Sequence, residues 1–310
     1  MRGLWLLPAL AALLGTCGRP GTTLPDGLAA DSGRVNVGSA TLHYVVEGSG
    51  TPCLVIGSEV YYRRTFSSPF KSQLRCVYLD HRGFTEGAQP EAGEFYGVPA
   101  IVADLEKARQ QLGLDRFVLV GHSVHGLVAL AYAARYPQHM THVVAIGAPR
   151  EISQARLDRR ERFWQTTATP GRMAQHEHNL ARLPADSLAK LPSGEALVAR
   201  VLADAARDWI DSTYDASWLW SGVTVNGPLA AQIFDVSRPF TLDGPAGSVA
   251  VPAYVALGRF DFSTVPYTDW ETFRGPFANL TVKIFDRAAH MPQLEDSTAF
   301  DEAVLAWLKG

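Results

Sequence analysis

The stretch that decides the fold is Arg116–Pro137, RFVLVGHSVHGLVALAYAARYP. It begins with four consecutive apolar residues, Phe117–Val120, which are typical of a strand buried on both faces of a parallel sheet. From Leu127 the chain continues as good helix formers and stops before the proline. Ser123 therefore lies at a strand-to-helix turn. Its hydroxyl is expected to point out of the sheet edge, at the positive end of the following helix.

Length and charge bound the class of protein. The chain has 310 residues, 47% of them hydrophobic, and a formal net charge of -3. This is enough to bury one large core, or a core with a smaller lid. The charge balance is mild and includes no long basic or acidic run, so nucleic acid is not an expected partner.

The N-terminus has the layout of a secretory signal peptide over residues 1–18. Arg2 precedes an apolar run, Leu4–Gly15, that is too short to span a bilayer. Cys17, just after the run, suggests a bacterial lipoprotein attached to the membrane through that cysteine. Ordinary signal-peptide cleavage after Gly18 fits the sequence as well. We therefore predict an exported protein: periplasmic, extracellular or lipid-anchored in a bacterium.

A tether and two short strands come next. Residues 19–34 are rich in Gly, Pro and small polar residues, which is typical of a linker. Short strands are predicted at Val35–Val37 and Thr41–Val46. Further along, Ile101, Leu105, Ala108 and Leu112 recur at spacings of four, three and four, which predicts an amphipathic helix leading into the strand before the serine turn.

Buried strands and helices then alternate. Besides the strand at Phe117, the buried strands are predicted at Cys53–Gly57, Arg75–Asp80, His142–Pro149, Val251–Gly258 and Leu280–Asp286. Such alternation indicates an α/β fold with a mostly parallel, doubly wound sheet. Between 150 and 248 the pattern breaks into helical segments. We predict a core of residues 35–149 and 249–310, with a helical cap, residues 150–248, inserted after the sixth strand.

A serine hydroxyl is a weak nucleophile unless a base lies beside it. The histidine that takes its proton and the carboxylate that holds this histidine should follow later strands at the same sheet edge. Asp261 follows one predicted strand, and His290 follows the next and is the only histidine after Asp261. Glu151, just beyond another strand, is a rival orienting acid.

Three motifs in this order resemble the α/β-hydrolase superfamily, in particular its capped serine esterase and proline iminopeptidase-like branch. They are GHSVHG (121–126), GRFDFSTVP (258–266) and AAHMPQLEDSTAF (288–300), and YLDHRGFTEG (78–87) is similar to the family's Asp-x-Arg-Gly segment. The resemblance covers roughly residues 37–150 and 249–310. It implies an α/β-hydrolase fold with Ser123 as nucleophile, His290 as base and Asp261 as acid, and it implies no metal or organic cofactor.

Two features depart from the family pattern. His125 occupies the place of the second glycine of the usual Gly-x-Ser-x-Gly turn, and Gly126 follows it. We interpret His125 as a packing or pocket-wall residue, because a base two residues beyond Ser123 would point away from it.

The oxyanion hole is the second departure, since it needs two backbone N–H groups. The resemblance assigns the first to Val124. The usual His-Gly pair of the other loop is replaced here by Gly57-Ser58, so the second donor is predicted to be the amide of Glu59, with Ser58 and Val60 as alternatives.

The resemblance implies a serine hydrolase that cleaves a carboxylic ester, or a related acyl bond, of a small-molecule acyl substrate. A serine at the turn argues against the epoxide hydrolase relatives, which use aspartate there. An aminopeptidase of the proline iminopeptidase type is an alternative, and it would need an acidic pair in the cap, for which Glu161, Glu177 and Asp204 are candidates. A slow-turnover small-molecule binding protein is the other alternative.

Some side-chain patterns favour purely structural roles. Cys53 and Cys76 are interpreted as buried free thiols, with a disulfide possible if their strands are neighbours. No Cys or His lies at zinc-ligand spacing from either, so no metal site is expected.

The cap contains an aromatic set and an arginine set. Its tryptophans are predicted to pack a lid and together to roof an apolar pocket; they are Trp164, Trp209, Trp218 and Trp220. Its arginines alternate with acids and are interpreted as a solvated helix face rather than an anion site; they are Arg150, Arg156, Arg159, Arg160 and Arg162.

Overall fold

The computed structural model describes residues 32–242, 248–264, 266–271, 273 and 275–310. The predicted signal peptide, Cys17 and the tether as far as residue 31 lie outside the described residues. Within the described part, no helix is long and apolar enough to cross a membrane.

The strands come in the order that the apolar runs predict. They are β1 (Ser32–Asn36), β2 (Thr41–Glu47), β3 (Thr51–Gly57), β4 (Leu74–Asp80), β5 (Phe117–His122), β6 (Met140–Ile146), β7 (Glu151–Ile152), β8 (Phe240–Thr241), β9 (Ala253–Gly258) and β10 (Leu280–Phe285). Among the described residues, eight of them form one sheet in the order β1-β2-β4-β3-β5-β6-β9-β10. From β4 to β10 every neighbouring pair is parallel, whereas β2 runs antiparallel to β1 and β4.

Helices connect the strands and fill the region after β6. They are α1 (Glu59–Tyr62), α2 (Ser68–Gln73), α3 (Val98–Leu112), α4 (Val124–Arg135), α5 (Gln154–Thr167), α6 (Pro170–Ala181), α7 (Ala185–Leu188), α8 (Ser193–Ala203), α9 (Ala205–Asp208), α10 (Ser217–Trp220), α11 (Gly227–Ile233), α12 (Thr268–Glu271), α13 (Pro292–Glu295) and α14 (Ser297–Trp307). We name the segment from α5 to α11 the cap.

The sheet is buried on both faces. Alternate residues of β3 illustrate this, because Leu54 and Ile56 pack in the cluster that contains α3 and α4. Cys53 and Val55 pack on the opposite face with aromatic residues of α2 and α14. Side chains of a strand alternate between the two faces of the sheet. Because helices cover both faces, most residues of a central strand are buried, and the strand contains a continuous apolar run. The predicted α/β-hydrolase fold class, with a mostly parallel doubly wound sheet, is therefore confirmed.

Two elements differ from the prediction. The first strand already begins at Ser32, so residues 32–34 of the predicted tether pair with β2. The ribbon of β7 and β8, whose register joins Glu151 to Thr241, was not predicted. Strands of two residues are too short to show a hydrophobic period. The β7–β8 ribbon joins the segment that precedes the cap to the segment that follows it.

The two cysteines lie side by side. Cys53 of β3 and Cys76 of β4 are register partners on neighbouring parallel strands, and both are free and fully buried. Burial and the adjacent thiol raise the pKa of Cys53 well above its usual value. Both side chains therefore act as small apolar core residues, in agreement with the favoured prediction.

Candidate active site

Ser123 occupies the sharp turn between β5 and α4. Its backbone φ is 57°, the only positive value among the described residues other than glycine. An L-residue in this conformation is strained and persists only where its surroundings fix it. Here the backbone N–H of Ser123 donates to the carbonyl of Ile146 in β6 at 2.8 Å. The turn is thus anchored to the neighbouring strand.

Close backbone approach explains the glycines around this turn. A Cβ at Gly121 would lie 2.1 Å from the carbonyl oxygen of His125, and a Cβ at Gly126 would lie 2.5 Å from the Cβ of Ala148. The position that must be small for helix packing is therefore Gly126, one residue later than in the family pattern. His125 is accommodated because its side chain lines the cavity next to Ser123, consistent with a pocket-wall residue.

His290 and Asp261 contact each other in the loops after β10 and β9. The Nδ1 atom of His290 lies 2.8 Å from Oδ2 of Asp261, and both residues are buried. The other carboxylate oxygen of Asp261 accepts backbone N–H bonds from Ser263 at 2.9 Å and Thr264 at 3.0 Å. With Nδ1 held by the carboxylate, Nε2 is the ring nitrogen left to exchange a proton.

The rival acid lies elsewhere. Glu151 pairs with the guanidinium of Arg159 at 2.5 Å and accepts from the hydroxyl of Ser153 at 2.8 Å. Of the two carboxylates considered from the sequence, Asp261 is the one hydrogen-bonded to His290.

A cavity of about 340 Å³ lies between the carboxyl edge of the sheet and the cap. Ser123, Val124 and His290 line it from the core, and Trp209 and Trp220 line it from the cap. The aromatic roof predicted from the sequence therefore includes two of the four tryptophans. Trp164 is buried away from the cavity, against Phe262 and His176, and Trp218 is 44% exposed.

The charge around His290 is unusual. Burial by itself disfavours its charged form, but the carboxylates of Asp261, Asp208 and Glu295 outweigh burial and raise the pKa of His290 to about 9. The imidazole is therefore mostly protonated at neutral pH, and it gains its capacity as a base as the pH rises.

Asp208, the last residue of α9, was not predicted as a site residue. Its carboxylate accepts from the hydroxyl of Ser263 and lines the same cavity. Its backbone carbonyl accepts from the N–H of His290 at 2.9 Å. Removal from bulk solvent raises the pKa of Asp208 to about 7. No local motif marks this residue, because only the folding of the cap brings it beside His290.

The predicted oxyanion donors differ in placement. Val124 begins α4 and lines the cavity, where its N–H is one of the first-turn groups without an intrahelical acceptor. The amide of Glu59 instead donates to Oδ1 of Asp80 at 2.7 Å. The N–H group of Glu59 is therefore already engaged by Asp80 and is not free to bind the oxyanion, so the prediction of Glu59 as the second oxyanion donor is corrected. Ser58 and Val60 stay as the predicted alternatives.

A chain of hydrogen bonds connects the loop after β4 to the backbone of His290. Its links are Gly83 N–H to His81 Nδ1 (2.9 Å), His81 Nε2 to His125 Nε2 (2.8 Å), His125 Nδ1 to Tyr62 Oη (3.0 Å), Tyr62 Oη to His122 Nδ1 (3.3 Å) and His122 Nε2 to the His290 carbonyl (2.9 Å). The backbone N–H at one end only donates and the carbonyl at the other only accepts. One set of neutral tautomers therefore satisfies every link, with the Tyr62 hydroxyl donating to His122.

The same three histidines are electrically neutral for a simple reason. Burial lowers the pKa of His81, His122 and His125, in the last case to about 4. Each ring thus serves as a hydrogen-bond relay between loops. In the described part of the chain, no group of three or more His, Cys, Asp or Glu side chains could hold a metal ion.

Three of the four arginines of α5 are not on a solvated face, contrary to the prediction, whereas Arg162 is exposed as predicted. Arg156 is buried and donates to the carbonyl of Thr264 at 3.0 Å. Arg159 pairs with Asp269 at 2.8 Å as well as with Glu151. Arg160 lines the cavity. The alternation of charges could not reveal this, because it specifies a helix face and not what packs against that face.

The cap acids separate into different environments. Glu161 pairs with Arg207 at 3.0 Å, and Glu177 is exposed to solvent. Asp204 lines the cavity and lies 2.8 Å from Nε2 of His176. The acidic pair that the cavity does contain is therefore Asp204 and Asp208.

Comparison with known proteins gives concordant results. A family model described as the alpha/beta hydrolase fold matches residues 49–297. The AB hydrolase superfamily protein YclE of Bacillus subtilis is 33% identical over 268 residues, covering 86% of this chain and 95% of that protein. Epoxide hydrolase 1 of Caenorhabditis elegans is 29% identical over 125 residues, which are 39% of this chain and 31% of that protein. An alpha/beta fold family hydrolase from Bacillus anthracis superposes with a TM-score of 0.63 at 18% identity, covering 89% of this chain and 98% of that one.

Proposed function

The chain belongs to the alpha/beta hydrolase fold family, and from this premise we propose that it is a serine hydrolase that cleaves a carboxylic ester or a related acyl bond. The observation that carries the proposal is the contact of 2.8 Å between His290 Nδ1 and Asp261, at the cavity that Ser123 lines. A nucleophile, a base and an orienting acid are the parts that acyl transfer needs.

The proposed reaction has two halves. His290 Nε2 takes the proton of the Ser123 hydroxyl while its oxygen attacks the acyl carbonyl, and Asp261 stabilises the imidazolium that results. The N–H of Val124 and a second amide bind the oxyanion. The protonated histidine then gives its proton to the leaving alcohol. Water, deprotonated by the same histidine, releases the acid and restores the serine.

The residue at the turn favours this chemistry over epoxide opening. Epoxide hydrolase 1 of Caenorhabditis elegans is similar to part of this chain. Enzymes that open epoxides in this superfamily use a carboxylate at the nucleophile position, whereas position 123 here carries a hydroxyl. The mostly apolar cavity wall suits an ester of small or medium size.

A fluorophosphonate probe tests the proposal. The probe resembles the tetrahedral state, so it labels a serine only where base and oxyanion donors act on it. We expect stoichiometric labelling of the protein lacking residues 1–18, measured by intact mass, and its loss in Ser123→Ala. Ser72→Ala is the control, because this serine is exposed and does not line the cavity, so labelling should stay intact. An unlabelled but folded protein would refute the serine hydrolase proposal.

An aminopeptidase is the second candidate, because Asp204 and Asp208 line the cavity and a pair of carboxylates suits a free amino group. Hydrolysis of amino-terminal prolyl or alanyl 4-nitroanilides at a higher kcat/KM than that of neutral 4-nitrophenyl esters would favour it. A slow-turnover binding protein is the third candidate, and it would be favoured by tight ligand binding with negligible turnover on both panels.

A further inference from the structure

Arg160 is the cavity residue whose charge is least satisfied. It projects from α5 into the cavity that Ser123 and His290 also line. Among the described residues its one hydrogen bond is a long contact of 3.4 Å from Nη1 to the carbonyl of Ser263, and its Nε is buried without a partner. A guanidinium stays protonated and has five N–H groups to satisfy. Most of that capacity is unused here.

Several arginines of the cap have partners that Arg160 lacks, although within the described residues the Nε atoms of Arg156 and Arg207 are also buried without a partner. Of these three side chains, only that of Arg160 is among the residues that line the described cavity. Arg207 pairs with Glu161, and Arg159 pairs with Glu151 and Asp269. Arg172 donates to three backbone carbonyls, those of Ala206, Trp209 and Ile210, at 2.5 to 2.7 Å. Arg160 is half-buried, so its guanidinium is partly removed from water without an ion-pair partner among the described residues to compensate for the lost solvation.

The carboxylates near Arg160 do not neutralise it directly. In the part of the chain that the structure describes, no carboxylate lies within ion-pair distance of its guanidinium; Asp204 is paired with His176, and Asp208 accepts from Ser263. Burial, with the nearby charge of Arg207, lowers the pKa of Arg160, and the carboxylates of Asp204, Glu161 and Asp208 offset part of that effect. Arg200 also lines the cavity, but it is exposed and water can solvate its charge.

We propose that Arg160 binds a carboxylate of the substrate, so that the preferred substrates are half-esters of dicarboxylic acids or other acyl compounds that carry a second, free carboxylate. This inference rests on the proposed function and names its substrate class. The planar guanidinium fork forms two parallel hydrogen bonds with a carboxylate, and exclusion of water strengthens them. A phosphate monoester is less suitable, because its second negative charge would be repelled by Asp204 and Asp208.

Matched esters test the proposal. The 4-nitrophenyl half-esters of succinate, glutarate and adipate are compared with the neutral butyrate, valerate and hexanoate esters of the same carbon number, at constant pH and ionic strength. We expect at least one half-ester to be preferred in kcat/KM. Arg160→Gln should lower kcat/KM for that half-ester by on the order of tenfold to hundredfold and leave its neutral counterpart within about threefold.

Two variants serve as controls. Arg162→Gln removes an exposed arginine two residues along the same helix. It should leave kcat/KM unchanged for both the half-esters and the neutral esters. Arg160→Lys keeps the charge without the fork and should retain part of the preference for the half-ester. Equal losses on charged and neutral esters in Arg160→Gln, or the same losses in Arg162→Gln, would overturn the proposal.

A binding measurement separates this inference from the proposed reaction. Calorimetric titration of Ser123→Ala with monomethyl glutarate and with methyl valerate reads the carboxylate contribution without turnover. We expect the anionic ester to bind more tightly by at least tenfold, and Arg160→Gln to abolish that difference. Equal affinities would overturn the inference even if neutral esters are hydrolysed. Absence of turnover with a retained difference would refute only the hydrolase proposal.

Discussion

The carboxyl edge of the sheet and the cap both line the cavity, but they carry different kinds of information. At the sheet edge, Ser123, Asp261 and His290 each follow a strand, and the parallel order of β5, β6, β9 and β10 brings those strand ends together. In the cap, Arg160 and Asp208 lie on helices whose charge pattern is unremarkable. The site residues at the sheet edge can be predicted one by one from the sequence, whereas these two residues of the cap are identified only from the packed structure.

The two regions are held in place by different kinds of contact. The sheet edge has a fixed geometry, because backbone hydrogen bonds of the strands set where each loop begins. It is suited to chemistry, which tolerates little displacement. The cap is flanked by a ribbon of two short strands, and it contacts the core through side chains and a few separate backbone hydrogen bonds, such as that from the His290 N–H to the Asp208 carbonyl. Its side chains line the cavity, and the carboxylate of Asp208 contributes to the raised pKa of His290.

The largest effect should come from the orienting acid. We expect Asp261→Asn to lower kcat by roughly 10³- to 10⁴-fold, because the amide holds the wrong tautomer of His290 and does not stabilise its charge. Steady-state kinetics on a neutral ester measures this. Glu151→Gln is the control and should stay within about threefold, since Glu151 pairs with Arg159. Comparable losses of kcat in both variants would mean that Asp261 is not the specific orienting acid.

A medium effect is expected at the junction of the two regions. Tyr62→Phe removes the hydroxyl that joins His125 to His122, so His122, which donates to the His290 carbonyl, loses the partner that fixes its ring. We expect kcat to fall by about tenfold with little change in KM, which follows from impaired positioning rather than binding. Tyr61→Phe is the control, because among the described residues its hydroxyl donates to the Met291 sulfur, at 3.3 Å, and takes no part in the chain of hydrogen bonds to His290. A rise in KM alone would contradict this role for Tyr62.

The smallest effect is a change in pH dependence. In the proposed mechanism His290 acts as a base only when it is neutral. Its pKa is raised to about 9, so kcat/KM should increase with pH, with a midpoint near that value and a plateau above it. The carboxylate of Asp208 is ionised in this range and favours the protonated imidazole. Asp208→Asn should therefore move the midpoint to lower pH, by roughly one unit.

The control for the pH experiment comes from the same cavity wall. Asp204→Asn removes a carboxylate that pairs with His176 and is not among the groups that shift His290. Its pH profile should match that of the unmodified protein. An unchanged midpoint in Asp208→Asn would mean that the carboxylate of the cap does not raise the pKa of His290.

The fold class, and the location of Ser123, Asp261 and His290 at one edge of the sheet, could be predicted from the sequence. Strand periodicity and chain order are local properties, and a parallel sheet brings the carboxyl ends of its strands to a common edge. Tertiary structure alone decided the rest. Asp208 reaches His290 and Arg160 reaches the cavity through helix packing, and the amide of Glu59 is taken by Asp80, from a separate strand. Such contacts depend on side chains far apart in the chain, and helical spacing fixes a face without naming its neighbour.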